Sequence, residues 1–158
     1  MTNSCSGTGT AVKIRFASAR DFDRLLRLVA AYYRFDSIAF DTQVTGGPLR
    51  RLLRDRSQGR AWVIDSGRDL AGYAIVTYNY DLEFGGIEAI MTDLFIARRH
   101  RRKGLGARMI EAVRDFCRRE EIGALELQVS RRNYVAQAFY RALGFEALDR
   151  IVMSLEVR

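Results

Sequence analysis

The sequence predicts a mixed α/β domain, because two kinds of hydrophobic periodicity alternate along its 158 residues. Short segments of alternating apolar and polar residues are typical of strands, and longer segments with apolar residues three or four apart are typical of helices. The order is strand, helices, three strands, helix, strand, helix and strand. We expect one domain over residues 11–158, without internal repeats.

The amino-terminal third predicts one strand and two helices. Residues 12–16 alternate apolar and polar side chains, as a strand does. Ser18 stands three residues before Asp21, which is typical of a helix start, and apolar residues follow at helical spacing: Phe22, Leu25, Leu26, Leu28 and Val29. Pro48 fits the first turn of a second helix, which would run through Leu53.

The middle of the chain predicts three strands. Residues 61–65 and 70–78 form the first two, joined by a hairpin connection at 66–69. A turn with two glycines at 83–86 then leads into a long apolar run at 87–96, which is the fourth strand of the chain.

The carboxy-terminal part alternates helices with strands. The helix that begins at Leu105 has six apolar residues on one face: Leu105, Met109, Ile110, Val113, Phe116 and Cys117. Residues 124–129 alternate as a fifth strand. Residues 133–143 are helical, with Gly144 as the stop signal, and residues 145–157 supply one or two final strands.

Composition and charge narrow the partners of the chain. The formal net charge of +7 favours acidic partners such as nucleic acid, a membrane surface or a phosphate-rich small molecule. The sequence contains no run of about 20 apolar residues, so it predicts no membrane span. Residues 1–10 lack the apolar core of a signal peptide, so we expect a flexible tail there and a cytoplasmic location. Cys5 and Cys117 differ in setting and have no neighbouring histidines, which predicts neither a disulfide nor a metal site.

The most informative segment is a basic turn at residues 98–106. It holds five Arg or Lys residues and two glycines between a strand and a helix. A helix start offers free N–H groups and a partial positive charge, and glycines let the backbone close on a phosphate. The spacing excludes a Walker A loop and also a dinucleotide fingerprint, which needs a third glycine where Met109 stands. A solvated basic turn or a nucleic-acid contact is the alternative, with His100 as an exposed member of the turn.

Two motifs resemble the hallmarks of the GNAT superfamily of N-acyltransferases. Arg101, Gly104 and Gly106 form Arg-x-x-Gly-x-Gly, which resembles the acetyl-CoA diphosphate signature of that family. Residues 133–145 resemble its second hallmark, Asn-x-x-Ala-x-x-Phe-Tyr-x-x-Leu-Gly-Phe. The resemblance covers about residues 70–153. It implies a GNAT fold with a central, mostly antiparallel sheet of six to seven strands flanked by about four helices.

The resemblance implies acetyl-CoA as the cosubstrate, with no metal. The diphosphate would bind the backbone of the turn and helix start: Arg101, Arg102, Lys103, Gly104, Leu105, Gly106 and Ala107. The pantetheine arm would pair with the end of the fourth strand, at Leu94, Phe95 and Ile96. The second motif would add Asn133 and Ala136 to the cofactor site.

Tyr140 is the family's expected catalytic acid. Its hydroxyl would point at the thioester sulfur, and its loss should slow but not abolish turnover because a thiol is a fair leaving group. Packing against Phe139 and Phe145 is the structural alternative for Tyr140. Asn133 is also a good helix N-cap, which is a structural alternative to ligand binding.

The implied reaction is direct attack of a neutral amine on the thioester. An alkyl amine of pKa about 10.4 is mostly protonated at pH 7, a handicap of about 4.6 kcal/mol, so a carboxylate must take a proton. Many family members carry a glutamate where this chain has Thr92. Asp93 and Glu88 are the candidate catalytic bases, with Glu83 behind them. Asp93 faces the wrong side of an ideal strand and needs a β-bulge to re-aim it. The N–H of Ile96 would hold the oxyanion.

The acceptor amine would be chosen by the amino-terminal third. Aromatic and acidic residues there would suit a cationic amine, or else belong to the core or a dimer contact: Tyr32, Tyr33, Phe35, Asp36, Phe40 and Asp41. Residues 80–86 resemble small bacterial family members that often form homodimers. The expected partner is a small-molecule or protein amine, with no nucleic acid or membrane. A CoA-binding sensor without activity and a basic nucleic-acid-binding module are the competing functions.

Overall fold

The computed structural model describes residues 12–157. The chain divides into two compact units, one ending at Gln128 and the other beginning at Val129. The tail expected at residues 1–10, with Cys5, lies outside the described residues. Within them, no helix is long and apolar enough to cross a membrane.

The first unit is a five-stranded sheet with helices on both faces. Its strands are β1 (Lys13–Phe16), β2 (Gly59–Asp65), β3 (Leu70–Asp81), β4 (Gly86–Ile96) and β5 (Ala124–Leu127). Its helices are α1 (Phe22–Phe35), α2 (Thr42–Arg54) and α3 (Leu105–Arg119). The strands lie in the order β1-β2-β3-β4-β5, and only the β4–β5 pair among them is parallel. The mixed α/β fold with a mostly antiparallel sheet is therefore confirmed.

The alternation of side chains along β2 separates the two faces of the sheet. Ala61 and Val63 belong to the core cluster that packs under α1 and α2. Trp62, between them, stacks edge-on against Phe116 of α3, with ring centroids 5.2 Å apart. The six apolar residues predicted for one face of α3 are all buried, Cys117 among them, so that prediction is confirmed.

The second unit contains helix α4 (Tyr134–Ala142). The Asn133 side-chain oxygen accepts a hydrogen bond from the Ala136 N–H at 3.0 Å, which confirms Asn133 as the N-cap. At the other end, Gly144 takes a left-handed φ of 89° and its N–H donates to the Arg141 carbonyl. The predicted helix and its stop signal are both confirmed.

The predicted number of strands is wrong: within residues 12–157 the sheet has five strands rather than six to seven. Residues 145–157 form no strand. A strand is stabilised by a paired neighbour and a covered apolar face. Here the large apolar side chains are between 61% and 87% exposed: Leu148, Ile151, Val152, Met153, Leu155 and Val157.

The predicted start of α2 is also wrong, because Pro48 lies inside the helix rather than in its first turn. The helix begins six residues earlier, at Thr42. The Asp41 carboxylate accepts hydrogen bonds from the N–H groups of Gln43 and Val44, at 2.6 and 3.4 Å. This N-cap starts the helix upstream of the proline.

A buried ion pair connects β1 to the start of α1. The Arg15 guanidinium donates two hydrogen bonds to the Asp21 carboxylate, each at 2.8 Å, and a third to Asp65 at 2.7 Å. Asp21 is only 3% exposed and also accepts from the Ser18 N–H. Hydrogen bonding by Arg15 holds the pKa of Asp21 far below its usual range.

Replacing Asp21 with asparagine should lower the free energy of unfolding at pH 7 by about 3 kcal/mol, since the bidentate ion pair is lost and Arg15 keeps only Asp65 as a charged partner. The folded-state pKa of Asp21 lies below the unfolded value, so its contribution is complete above about pH 4 and is lost as the pH falls through the folded-state pKa. Urea denaturation at pH 7 and pH 3 measures both effects. Exposed Asp23→Asn is the control, and equal midpoints for the two variants would contradict the prediction.

Candidate active site

A β-bulge in β4 sets the direction of Asp93. Ile75 of β3 pairs with Asp93, whereas the next residue, Val76, pairs with Met91, so Thr92 is an extra residue. In an unbulged strand Met91 and Asp93 would share one face. The bulge instead puts Asp93 on the face of Ile75, towards α1 and α2. The structure therefore contains the re-aiming bulge on which the role of Asp93 depends.

Asp93 lines a cavity of about 840 Å³ between α1, α2 and the sheet. The aliphatic wall comes from residues such as Val29 and Ile75. The polar groups in the lining are those of Tyr33, Asp41, Thr45, Arg51, Gln58, Thr77, Thr92 and Asp93. A largely apolar cavity with a few polar groups is the usual form of a small-molecule site.

Burial raises the pKa of Asp93 to about 6, because the carboxylate loses much of its hydration. Among residues 12–157, no side chain or backbone group makes a hydrogen bond or ion pair with it. The carboxylate therefore changes charge close to neutral pH, which suits a general base. A buried carboxylate without a partner costs stability, so its presence in a cavity points to function.

Two of the six residues predicted to surround the acceptor, Tyr33 and Asp41, line this cavity. Burial, followed by the charge of Asp93, raises the pKa of the Tyr33 hydroxyl. Asp41 also serves as the N-cap of α2.

The other four predicted acceptor residues lie outside the lining. Tyr32 and Phe35 pack their rings on Phe95, with centroids 5.8 and 6.4 Å apart, and Phe40 packs on Tyr33 at 6.0 Å. Asp36 is the C-cap of α1. Tyr32 and Phe40 are partly buried against the core, as the core alternative expects, whereas Phe35 is 61% exposed.

The sequence did not indicate the α2 side of the cavity. Thr45, Gly47 and Leu49 line it, but they precede or follow the proline that was expected to open the helix. Asp41 followed by Thr42 was the available signal, because aspartate is a preferred N-cap residue.

The other two candidate bases do not line this cavity. Glu88 is only 3% exposed, and its carboxylate accepts a hydrogen bond from the Asn79 side chain at 3.0 Å. Burial, and then the charge of Glu88, raises the pKa of neighbouring Glu126 on β5. Glu83 is exposed in the β3–β4 turn, where its N–H donates to the Asp81 carboxylate.

The end of β4 has an edge that β5 does not cover. The two strands pair only from Glu88 to Met91. Leu94, Phe95 and Ile96 pair with β3 on one side and have no β5 partner on the other. Their remaining N–H and C=O groups can add an extended ligand that carries amide groups.

The basic turn arranges free N–H groups at the start of α3. Arg102 and Gly104 both have left-handed φ angles, of 63° and 71°. Such residues turn successive N–H groups to one side and form an anion-binding concavity. Gly104 is the N-cap and provides no side-chain cap, so within residues 12–157 the N–H groups at 105–107 have no hydrogen-bond acceptor. A helix start in this state binds phosphate well.

Of three consecutive basic side chains in the turn, Arg101 has structural partners, whereas the next two extend into solvent. Arg101 donates from Nε to the Ile96 carbonyl at 2.8 Å, and its guanidinium lies 4.6 Å from the Phe35 ring centroid. Arg102 and Lys103 are exposed, and in the described part of the chain neither has a carboxylate within 4.0 Å. Their charge is therefore available to an anion.

Arg99 and His100 also have partners inside the turn. Arg99 forms an ion pair with Asp69 at 2.7 Å and donates to Nε2 of His100 at 3.1 Å. Burial and the charges of Arg99 and Lys103 lower the pKa of His100. His100 does not line the cavity of Asp93.

The second motif lies in the second compact unit. Tyr140 packs edge-on against Phe139 and Phe145, with ring centroids 5.2 and 5.6 Å apart. Burial raises the pKa of its hydroxyl, which therefore stays protonated at neutral pH. The cap bond uses the Asn133 oxygen and the Ala136 N–H, and it leaves the Asn133 side-chain NH₂ as a donor.

Proteins of similar sequence and structure include acetyltransferases. A streptothricin acetyltransferase of Streptomyces lavendulae is 38% identical over 77 residues, which cover 49% of this chain and 39% of that protein. An integron cassette protein from the mobile metagenome of Cole Harbour Salt Marsh is 26% identical, with a TM-score of 0.82 over 92% of this chain and 90% of that one.

A more distant solved structure has the same fold. An aminoglycoside acetyltransferase from an uncultured soil metagenomic sample, in complex with sisomicin, is 18% identical. Its TM-score is 0.76, over 93% of this chain and 96% of that chain. The match to the streptothricin enzyme spans less than half of that protein's length.

The family model for the acetyltransferase (GNAT) family matches residues 22–145. That range contains the bulge, the cavity, the basic turn and the second motif. It covers most of the 158 residues. This chain therefore belongs to the GNAT acetyltransferase family.

Proposed function

We propose that this protein transfers an acetyl group from acetyl-CoA to a primary amine of a cationic small molecule, by direct attack in a ternary complex. The observation that carries the proposal is the Asp93 carboxylate, which has a pKa of about 6 and faces a cavity at the bulge of β4. Pairing of β4 with β5 ends at Met91, so the uncovered edge of β4 includes this residue.

Two features of the first unit suit acetyl-CoA. The free N–H groups at the start of α3, with Arg102 and Lys103, would hold the diphosphate. The uncovered backbone of 94–96 would hold the amide-containing pantetheine arm. When bound, acetyl-CoA supplies the thioester whose carbonyl carbon the amine attacks.

Asp93 would accept the proton that the amine must lose. A carboxylate of pKa about 6 is mostly ionised at pH 7. It is nevertheless a weaker base than an alkyl amine by about four pKa units. Proton transfer through water during the attack, rather than before it, suits this difference. The N–H of Ile96 would donate to the developing oxyanion, and the protonated Tyr140 hydroxyl would donate to the leaving thiolate.

The cavity favours a cationic acceptor. Asp93 and Asp41 contribute two carboxylates, and Tyr33 adds an aromatic ring, whereas Arg51 is the one cation in the lining. Another cavity, of about 280 Å³, is lined by Arg56, Arg60 and Arg119 and suits an amine poorly. The streptothricin and aminoglycoside acetyltransferases that resemble this chain support the same class of acceptor.

An acceptor panel tests the proposal. Calorimetry first measures binding of acetyl-CoA, and release of free thiol then follows turnover with aminoglycosides, streptothricin, spermidine, lysine and a peptide with a free amino terminus. We expect the cationic antibiotics to give kcat/KM at least tenfold above lysine, because they place several ammonium groups near the two carboxylates. Acetyl-CoA binding without turnover of any amine would favour the sensor. Salt-sensitive DNA binding without acetyl-CoA binding would favour the nucleic-acid module.

We also propose a homodimer and a cytoplasmic location. The β3–β4 turn exposes large apolar side chains that a second copy would cover: Tyr80, Leu82, Phe84 and Ile87. Sedimentation of the wild type and of Leu82→Lys tests the dimer. The buried free thiol of Cys117 suits a reducing compartment.

A further inference from the structure

Tyr73 has a buried hydroxyl group without a partner. The residue is 0% exposed, and within the described residues its Oη makes no hydrogen bond. Buried hydroxyl groups are nearly always hydrogen-bonded, because desolvation without compensation is costly. Phenylalanine would fill the same apolar position without that cost. The hydroxyl therefore needs a role outside the core packing.

The register of β3 and β4 puts Tyr73 next to Asp93. Tyr73 pairs with Phe95, and Ile75 pairs with Asp93, so Tyr73 and Asp93 are diagonal neighbours on the same face of the sheet. Diagonal neighbours are within reach when one of them is aromatic. Burial, and then the charge of Asp93, raises the pKa of the Tyr73 hydroxyl, which therefore remains a donor at neutral pH.

The other polar groups around Asp93 differ from Tyr73 in their access to solvent. Tyr33 of α1 lines the cavity, as do Asp41 before α2 and Arg51 on it, so solvent in the cavity can reach all three. Tyr32 and Tyr33 of α1 both act electrostatically on Tyr73. Tyr73 alone among the described residues combines full burial, an unpaired hydroxyl and a position beside the carboxylate.

We propose that Tyr73 is a positioning residue, whose hydroxyl donates through one buried water molecule to the Asp93 carboxylate and holds it ready to accept a proton. No direct hydrogen bond joins the two groups, and a single water bridges polar groups that are too far apart for direct contact. This inference rests on the proposed role of Asp93 in acetyl transfer.

The test replaces Tyr73 with phenylalanine and measures the pH dependence of kcat/KM. A hydrogen bond to the ionised carboxylate lowers its pKa, so its loss should move the acidic limb of the profile upward by about one pH unit. The kcat/KM of Tyr73→Phe should be about tenfold below that of the wild type well below pH 6, and the two values should be equal above pH 8. Tyr78→Phe, on the opposite face of β3, is the matched control and should leave the limb in place.

Carboxyl ¹³C NMR of Asp93 in the full chain without acetyl-CoA gives a readout that does not need activity. A rise in the Asp93 pKa in Tyr73→Phe supports the inference even if no amine is acetylated. In that case the proposed function is contradicted, but the inference about Tyr73 is not. Should Tyr73→Phe not fold, 3-fluorotyrosine at position 73 provides a stronger donor and should lower the Asp93 pKa. An unchanged Asp93 pKa in a folded variant overturns the inference, whatever the activity.

Discussion

Asparagine in place of Asp93 is expected to lower kcat by about 100-fold or more while leaving the affinity for acetyl-CoA unchanged. General bases contribute on that scale, and asparagine keeps the size of the side chain but cannot accept a proton. The wild-type kcat/KM should fall as the pH drops through about 6, where Asp93 becomes protonated. The variant should lack this limb. Steady-state kinetics from pH 5 to 9, with calorimetry for acetyl-CoA, measures each effect.

Stability provides an independent check on Asp93. Its folded-state pKa is raised above the unfolded value, so folding favours the protonated form and stability falls as the pH rises from about 4 to 6. Asparagine does not titrate, and the variant should be more stable than the wild type at pH 7, by on the order of 2 kcal/mol. A more stable but inactive variant would separate catalysis from folding.

Two further variants are compared with Asp93→Asn, one as a control and one as a test of the competing base. Asp23→Asn changes an exposed carboxylate of α1 and should keep both activity and its pH dependence. Glu88→Gln tests the competing base, which is bonded to Asn79 outside the cavity. If Glu88→Gln lost turnover and Asp93→Asn kept it, Glu88 would be the base and the interpretation of the cavity would be wrong.

Glutamate in place of Gly106 is expected to weaken acetyl-CoA binding by about 10- to 100-fold. Gly106 lies in the first turn of α3, where an acidic side chain favours the helix but repels an incoming diphosphate. Hydrogen bonds to charged groups contribute about 1.5–3 kcal/mol, which corresponds to the expected loss. Because the helix itself is not weakened, calorimetry of the folded variant reports the anion site directly.

Gly106→Gln is the matched control, since it has the size of glutamate without the charge. The glutamate variant should bind acetyl-CoA at least tenfold more weakly than the glutamine variant, and the difference should narrow at high salt. If Gly106→Glu bound acetyl-CoA with unchanged affinity, the diphosphate would not bind at this helix start, and the proposed function would be contradicted.

Local patterns predicted the parts of the site that depend on neighbouring residues in the chain. The free N–H groups of α3 follow from a glycine N-cap next to basic residues, and the cap of α4 follows from Asn133 itself. The apolar face of α3 followed from its periodicity. Each of these features depends on residues of a single helix and its cap, which is why the sequence was sufficient.

The cavity depended on tertiary pairing, which the sequence does not display. The extra residue at Thr92 is defined only by the register with Ile75 and Val76. The unpaired hydroxyl of Tyr73 becomes unusual only when its burial is known. The final strands were predicted from alternation alone, which cannot supply the neighbour that a strand needs.

The bulge decides which side chains the downstream half of β4 turns towards the cavity. Upstream of Thr92 every second side chain, such as that of Met91, belongs to the layer under α3, and downstream the parity is reversed. If β4 paired regularly with all of its residues, Asp93 and Phe95 would both turn towards α3. Deletion of Thr92 would remove only the extra residue, so Asp93 would still pair with Ile75 and the acid would stay on the cavity side of the sheet.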